Sequence, residues 1–236
     1  MKAFVLNSGG CDSTTCVGIA VDKYGSDNVV TASLFYGQRH DRELECAKKV
    51  AEHYGVRHIE EDISNIMKYA SDVCTLLKNS NEDVPETSYA EQIKQNGEGR
   101  VSTYVPFRNG LFLSIAASYA DSIFPGEDVE IYYGAHADDA AGQAYADCSP
   151  EFAEAMDTAI SIGTYGKIHV VRPLINMNKA EVVAEGLKLN VPYELTWSCY
   201  KGGHKACGKC GTCIDRLEAF RANGVKDPIE YEEDAK

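Results

Sequence analysis

The chain has 236 residues, 44% of them hydrophobic and 25% charged, with a formal net charge of −13 at neutral pH. That length allows one full hydrophobic core with at most a small appended unit, and the ordinary composition excludes a disordered or fibrous protein. The acidic balance opposes loose attraction to phosphate backbones, so no stable nucleic-acid partner is expected and any contact would need a local basic patch; with neither a signal-peptide pattern nor an apolar run of membrane-spanning length the expected setting is cytoplasmic, with no membrane contact.

Ala3-Phe4-Val5-Leu6 predicts a buried strand over residues 3–7. The stretch that follows, Asn7-Ser8-Gly9-Gly10-Cys11-Asp12-Ser13-Thr14-Thr15, reads as a loop opening a helix over 13–24, whose Cys16, Val17, Ala20, Val21 and Tyr24 share one face. Adjacent glycines let backbone N–H groups approach an anion. Asp12 or Ser13 is placed to cap the helix, and its positive end, with the hydroxyls of Ser8, Ser13, Thr14 and Thr15, favours phosphate. A β-branched strand follows over 29–36, then a helix over 42–54 ended by Gly55, then a strand over 56–63. This alternation predicts an α/β, Rossmann-like parallel sheet with helices on both faces.

Residues 78–103 carry Asn79, Asn81, Pro85, Asn96, Gly97 and Gly99 and read as a long loop, a lid or a dimer contact. A helix is expected from about Asn109 to Pro125, with Leu111, Phe112, Ile115 and Tyr119 along one face, followed by a strand over 129–134. Ser149-Pro150 starts a helix running to about residue 162, and Asn178 with Glu181 forms a capping box on a helix reaching about residue 190. After Val191-Pro192 the composition turns to cysteine, glycine and lysine. We expect a nucleotide-binding domain over 1–192 and a small zinc-binding helical unit over 193–236, ending in a helix over 214–222.

No Gly-x4-Gly-Lys-Ser/Thr loop and no Gly-x-Gly-x-x-Gly occurs, so transfer of a γ-phosphate loses support. Cys199-x7-Cys207-x2-Cys210-x2-Cys213 supplies four thiolates, enough to close a tetrahedral Zn2+ shell. One structural zinc per chain is the expectation, with a redox Cys-x-x-Cys pair or an iron–sulfur cluster as alternatives. Lys201, Lys205 and Lys209 are solvated or form one basic patch. Arg39 and His40 follow the second strand, where open parallel sheets bind ligands, and are candidates for phosphate or substrate. Arg108 is suited to bidentate contact with phosphate or carboxylate, and the small residues of 134–142 leave space beside His136, Asp138 and Asp139.

The Ser8-Gly9-Gly10-x-Asp12-Ser13 loop resembles the signature of the ATP pyrophosphatase (PP-loop) family, whose members cleave between the α- and β-phosphates to adenylate a substrate oxygen. Tyr36-Gly37-Gln38-Arg39-His40, Val105-Pro106-Phe107-Arg108-Asn109-Gly110, Asp147-Cys148-Ser149-Pro150-Glu151-Phe152, Thr196-Trp197-Ser198-Cys199 and Cys207-Gly208-Lys209-Cys210-Gly211-Thr212-Cys213 extend the likeness. From Ser8 to about Pro228 the chain resembles the family of nitrile-forming 7-cyano-7-deazaguanine synthases, except that Ala146 stands where that family usually has proline. The resemblance implies an adenine nucleotide alpha hydrolase-like fold and an ATP-dependent ligase acting on 7-carboxy-7-deazaguanine and ammonia in queuosine biosynthesis. It also implies Mg2+ on ATP and a homodimer. On this reading Asn7, Ser8, Gly9, Gly10, Cys11, Asp12, Ser13, Thr14, Thr15, Cys16, Val17, Arg39 and His40 surround ATP. Ser8, Asp12, Ser13, Lys179 and Arg108 carry the chemistry, Lys179 from the first turn of its helix. His136, Asp138, Asp139 and Asp147 lie near the substrate base, where a carboxylate can pair with guanine-like N–H groups. Two other readings are an adenylating relative acting on a tRNA base or attaching the deazaguanine elsewhere, and an interaction module on a nucleotide-sensing domain.

Overall fold

The computed structural model describes residues 1–70, 73–78, 80, 83–88, 91, 94, 99, 101–140 and 144–233. Asn79, Asn81, Asn96, Gly97, Ala141 and Gly142 of the stretches named above lie outside these residues.

Five parallel strands form one sheet in the order β3-β2-β1-β4-β5: β1 Lys2–Leu6, β2 Val29–Phe35, β3 Arg57–Asp62, β4 Val129–Tyr132 and β5 Ile168–Val171. Helices α1 Cys11–Tyr24, α2 Arg42–Tyr54, α3 Ser64–Met67, α4 Arg108–Ile123, α5 Ala137–Ala140, α6 Pro150–Gly163, α7 Lys179–Lys188 and α8 Gly211–Ala222 connect and cover it. Strand alternation sorts the core into two layers. Phe4, Val30, Ile131 and Val170 pack with Leu113 of α4 and Ala153 and Ile160 of α6. Ala3, Val5, Val29 and Tyr132 face the other way, against Val17 of α1, Val50 of α2 and Val182 of α7.

The helix starts follow local chemistry. Asn178 and Glu181 form the expected capping box, and Ser149 accepts the Phe152 N–H with Pro150 at the first helical position. Helix α1 departs from expectation, because its cap is Gly10 and no side chain caps it. Asp12 therefore lies inside the first turn, free to face outward, and the Ser13 hydroxyl turns back to accept the Ser8 N–H at 3.1 Å. Strand β5 is a further departure. It is as short as β4, and its pairing with β4 identifies it. Within the segment read as a long loop, Glu91 and Lys94 are helical, and Val84, Val101 and Thr103 are buried.

The cysteine-rich part packs closely on the rest. Cys199, Cys207, Cys210 and Cys213 share an apolar layer with Leu34, Tyr36 and Trp197. Arg216 of α8, with no exposed surface, forks onto Asp227 at 2.6 and 2.8 Å and donates to Thr196 Oγ1 at 2.8 Å. Such a pair specifies geometry more than it stabilises. Tyr193 joins three helices. Its hydroxyl hydrogen-bonds Thr15 of α1 at 2.8 Å, its ring meets Phe220 of α8 edge-on at 5.3 Å, and both rest on Gly186 of α7.

A Cβ on Gly186 would overlap the Tyr193 hydroxyl. Helix propensity alone predicts that Gly186→Ala stabilises by about 1 kcal/mol. Overpacking outweighs it, so a net destabilisation of about 1–2 kcal/mol is expected in urea unfolding. A stabilised variant would contradict this packing.

Candidate active site

The strand order reverses between β1 and β4, and open parallel sheets bind ligands outside the strand ends at such a point. A cavity lies there, lined from the β1 end by Asn7, Ser8, Gly10, Asp12 and Ser13, from the β2 end by Leu34, Tyr36, Arg39 and His40, and after β4 by Tyr133 to His136.

Close backbone approach shapes the loop. Gly9 has φ +78°, and a Cβ there would overlap the Glu43 carbonyl oxygen and stand 2.7 Å from the Ala47 nitrogen, so α2 presses directly on the loop. A Cβ on Gly134 would stand 3.0 Å from the Ser13 nitrogen, so the β4 end approaches α1 as closely. Asn7, buried, accepts the Gly9 N–H at 3.0 Å and donates to the Ala47 carbonyl at 3.2 Å. The Ser8 and Ser13 hydroxyls are 3.0 Å apart, and the Trp197 N–H closes the loop on the Gly9 carbonyl at 2.8 Å.

At one end of the cavity Lys179 Nζ lies 2.6 Å from both carboxylate oxygens of Asp12. His136 Nε2 stands 3.8 Å from Asp12 and 3.5 Å from Asp139. Burial alone would raise the Asp12 carboxyl, but Lys179 and His136 hold it below its ordinary value. Burial raises Asp139, whose partner His136 offsets this only in part. Asp138 accepts the Lys179 backbone N–H at 2.8 Å and so fixes the start of α7.

The other end is aromatic and carries Arg108. Arg108 donates to the Tyr36 hydroxyl at 3.2 Å and lies 5.5 and 5.9 Å from the ring centres of Tyr36 and Phe112. Among the described residues no carboxylate lies within ion-pair distance of it. Asp147, buried behind the wall, accepts the Asn109 N–H at 3.0 Å and caps α4 just after Arg108.

Of the residues expected at the site, Asn7, Ser8, Gly10, Asp12, Ser13, Arg39, His40, Arg108, His136, Asp139 and Lys179 line this one cavity. Gly9 supports the loop from behind. Cys11, Cys16 and Val17 point into the helix-packed core, Thr14 is fully buried, and Thr15 bonds Tyr193, so a helix N-terminus contacts a ligand with its first residues only. Arg39 lines the cavity while donating to the carbonyls of Thr75 and Ser80. Of the three lysines near the cysteines, Lys201 pairs with Glu86 and Lys205 with Glu230.

Sequence reasoning missed Glu43 and Asp215, which also line the cavity. Burial pushes the Glu43 carboxyl up to about 7, against the pull of Arg108, and raises Asp215 to about 6, against Lys179. Glu43 had one faint signal, its place one turn before the small Ala47 that packs on Gly9.

The four cysteine sulfurs lie within 4.8 Å of one another, all buried. Tetrahedral zinc with bonds of ~2.3 Å separates its sulfurs by ~3.8 Å, and Cys207 and Cys213 stand at 3.9 Å. Backbone N–H groups of Lys201, Cys207, Lys209 and Cys210 point at the sulfurs at 3.4 Å, favouring thiolates. The donor set fits one soft-ligated metal ion.

Residues 2–224 match the model of the family described as Queuosine biosynthesis protein QueC. The chain is 46% identical over 232 residues to the 7-cyano-7-deazaguanine synthase of Caldicellulosiruptor saccharolyticus, covering 98% of this chain and 96% of that one. It is 44% identical to the 7-cyano-7-deazaguanine synthase of Archaeoglobus fulgidus, covering 100% and 92%. Among solved structures, NMN synthetase from Francisella tularensis is similar in fold, with a TM-score of 0.51 at 14% identity over 95% of this chain and 78% of that one.

Because the folded-state value of Glu43 is raised, its carboxyl costs no stability below about pH 4.5 and costs most above pH 7. Glu43→Gln should therefore raise stability by about 1–3 kcal/mol at pH 8, with most of that gain gone at pH 5. Urea unfolding at both pH values checks this, and a gain independent of pH would contradict it.

Proposed function

The chain belongs to the QueC family of queuosine biosynthesis proteins, and on that basis we propose that it is an ATP-dependent ligase that converts 7-carboxy-7-deazaguanine and ammonia to the nitrile 7-cyano-7-deazaguanine. The observation that carries this reading is one cavity with an anion-binding loop and Lys179 at one end and, at the other, the guanidinium of Arg108, which among the described residues has no carboxylate within ion-pair distance. Two anions, a triphosphate and a carboxylate, have to be brought to bonding distance in this reaction, and the two cations screen their repulsion.

On this reading the Ser8 and Ser13 hydroxyls and the first-turn N–H groups that follow Gly10, at the positive end of α1, hold the outer phosphates. Arg108 holds the substrate carboxylate. Its oxygen attacks the α-phosphorus, pyrophosphate leaves, and Lys179 offsets the charge that builds on the phosphorus. Ammonia then attacks the carboxyl carbon, AMP departs with the C–O bonding pair, and an amide remains. A second ATP adenylates the amide oxygen, and loss of AMP and the nitrogen's protons gives the nitrile. Asp138 and Asp147 act as positioning residues, fixing the helix starts that aim Lys179 and Arg108, while His136 and Asp139 face the substrate. Asp12 and Asp139 offer the hard oxygen donors that suit Mg2+, which when bound neutralises phosphate charge. We assign zinc to the four cysteines as a structural ion, with the unit they fold bounded at Pro192. We further propose a cytoplasmic homodimer.

Incubation with ATP, Mg2+, ammonia and 7-carboxy-7-deazaguanine should release two AMP per nitrile formed. Release of ADP would sink the adenylation steps. Elemental analysis should find one zinc per chain, and chelation should lower the melting temperature, because metal binding is folding energy in such units; an iron content with visible absorbance would overturn the zinc assignment.

A further inference from the structure

The amination and the final elimination both strip protons from nitrogen, so the cavity needs a proton acceptor near the reacting carbon. Ammonia reaches an enzyme at neutral pH chiefly as ammonium, whose lone pair is blocked. Four carboxylates line the cavity. Asp12 is bound through both oxygens by Lys179, and Asp139 accepts the His136 N–H at 3.3 Å and faces its ring. Asp215 stands with Lys179, His136 and Asp138, at the phosphate-binding end. Glu43 differs: among the described residues its carboxylate makes no hydrogen bond or ion pair, and the charge it feels is Arg108.

We propose that Glu43 is the proton acceptor of the amination step, drawing ammonium into the cavity beside Arg108 and freeing the nitrogen lone pair that attacks the adenylated carboxyl carbon. This rests on the reaction assigned above. One N–H bond of ammonium breaks and an O–H bond forms on Glu43. The nitrogen forms its bond to carbon, the C–O bond to AMP breaks with its electron pair going to AMP, and the second excess proton passes from nitrogen to solvent. Once Glu43 returns its proton to solvent, it is ready for the N–H deprotonation that expels the second AMP.

The position supports the role. Glu43 lies in the first turn of α2, held against the loop by the contact of its backbone carbonyl with Gly9, so it cannot drift from the phosphates. The groups sharing its part of the wall are Arg108 of α4, Tyr36, Arg39 and His40 following β2, with Cys46 one turn on in α2. Burial keeps its carboxyl near neutrality, where a group can take and return a proton in each cycle.

The test compares two nucleophiles in the full-length protein. Hydroxylamine is uncharged at neutral pH and needs no acceptor to free its lone pair. In Glu43→Gln, nitrile formation from ammonia should fall roughly 10²–10⁴-fold, while trapping of the adenylate as hydroxamate falls less than about tenfold. Glu43→Asp should recover part of the ammonia rate, and the parent rate should level off above about pH 7, where Glu43 is ionised, while the rate of the Gln variant, which uses only free ammonia, should go on rising with pH. Equal loss with both nucleophiles, or no loss with ammonia, would overturn the proposal while leaving the reaction intact. A parent protein that makes hydroxamate but no amide or nitrile would overturn the assigned reaction and this proposal with it.

Discussion

The site depends on the contact between Lys179 and Asp12. It joins the first turns of α1 and α7, two helices that approach from the same face of the sheet, and it does so in a partly buried place where neither charge is tolerated alone. Removing either partner would leave an uncompensated charge under the loop of residues 7–10. The pair also fixes what the loop can accept. With Asp12 taken up by an ammonium, the donors left to a ligand are the first-turn N–H groups of α1 and the serine hydroxyls, which select an anion without the γ-phosphate lysine of kinase-type loops.

The cysteine-rich part serves the same cavity. Ser198, Tyr200, Thr212 and Asp215 line it, all from the segment that the four cysteines and α8 organise. Arg42 stacks its guanidinium 3.6 Å from the Trp197 ring, and Trp197 in turn grips the loop through Gly9. The four-cysteine cluster thereby holds one wall of the site, and the buried Arg216–Asp227 fork ties the tail after α8 to the same segment.

How much of this was legible in the sequence varied with the range of the interaction. The capping box at Asn178, the Ser149-Pro150 start and the four cysteines are local patterns, and each appeared where expected. The alternation of β1 through β3 gave the parallel sheet for the same reason. Strand β5, as short as β4, is identified by its pairing in the sheet, and the cap of α1 was misread because Asp12 is a good cap residue that tertiary charge pulls into a different role. Glu43 left only a faint signal because its environment comes from Gly9 and Arg108, 34 and 65 positions away in sequence. Asp147 was noticed for its motif, yet its work is on α4, which only the folded chain reveals.

The central claim is that both carboxylate oxygens leave on phosphorus, one per AMP. It is tested most directly with 7-carboxy-7-deazaguanine carrying ¹⁸O in both carboxylate positions, by mass spectrometry of the nucleotide products. Every AMP formed should carry one ¹⁸O from the substrate. Label in inorganic phosphate or in water, with unlabelled AMP, would contradict it.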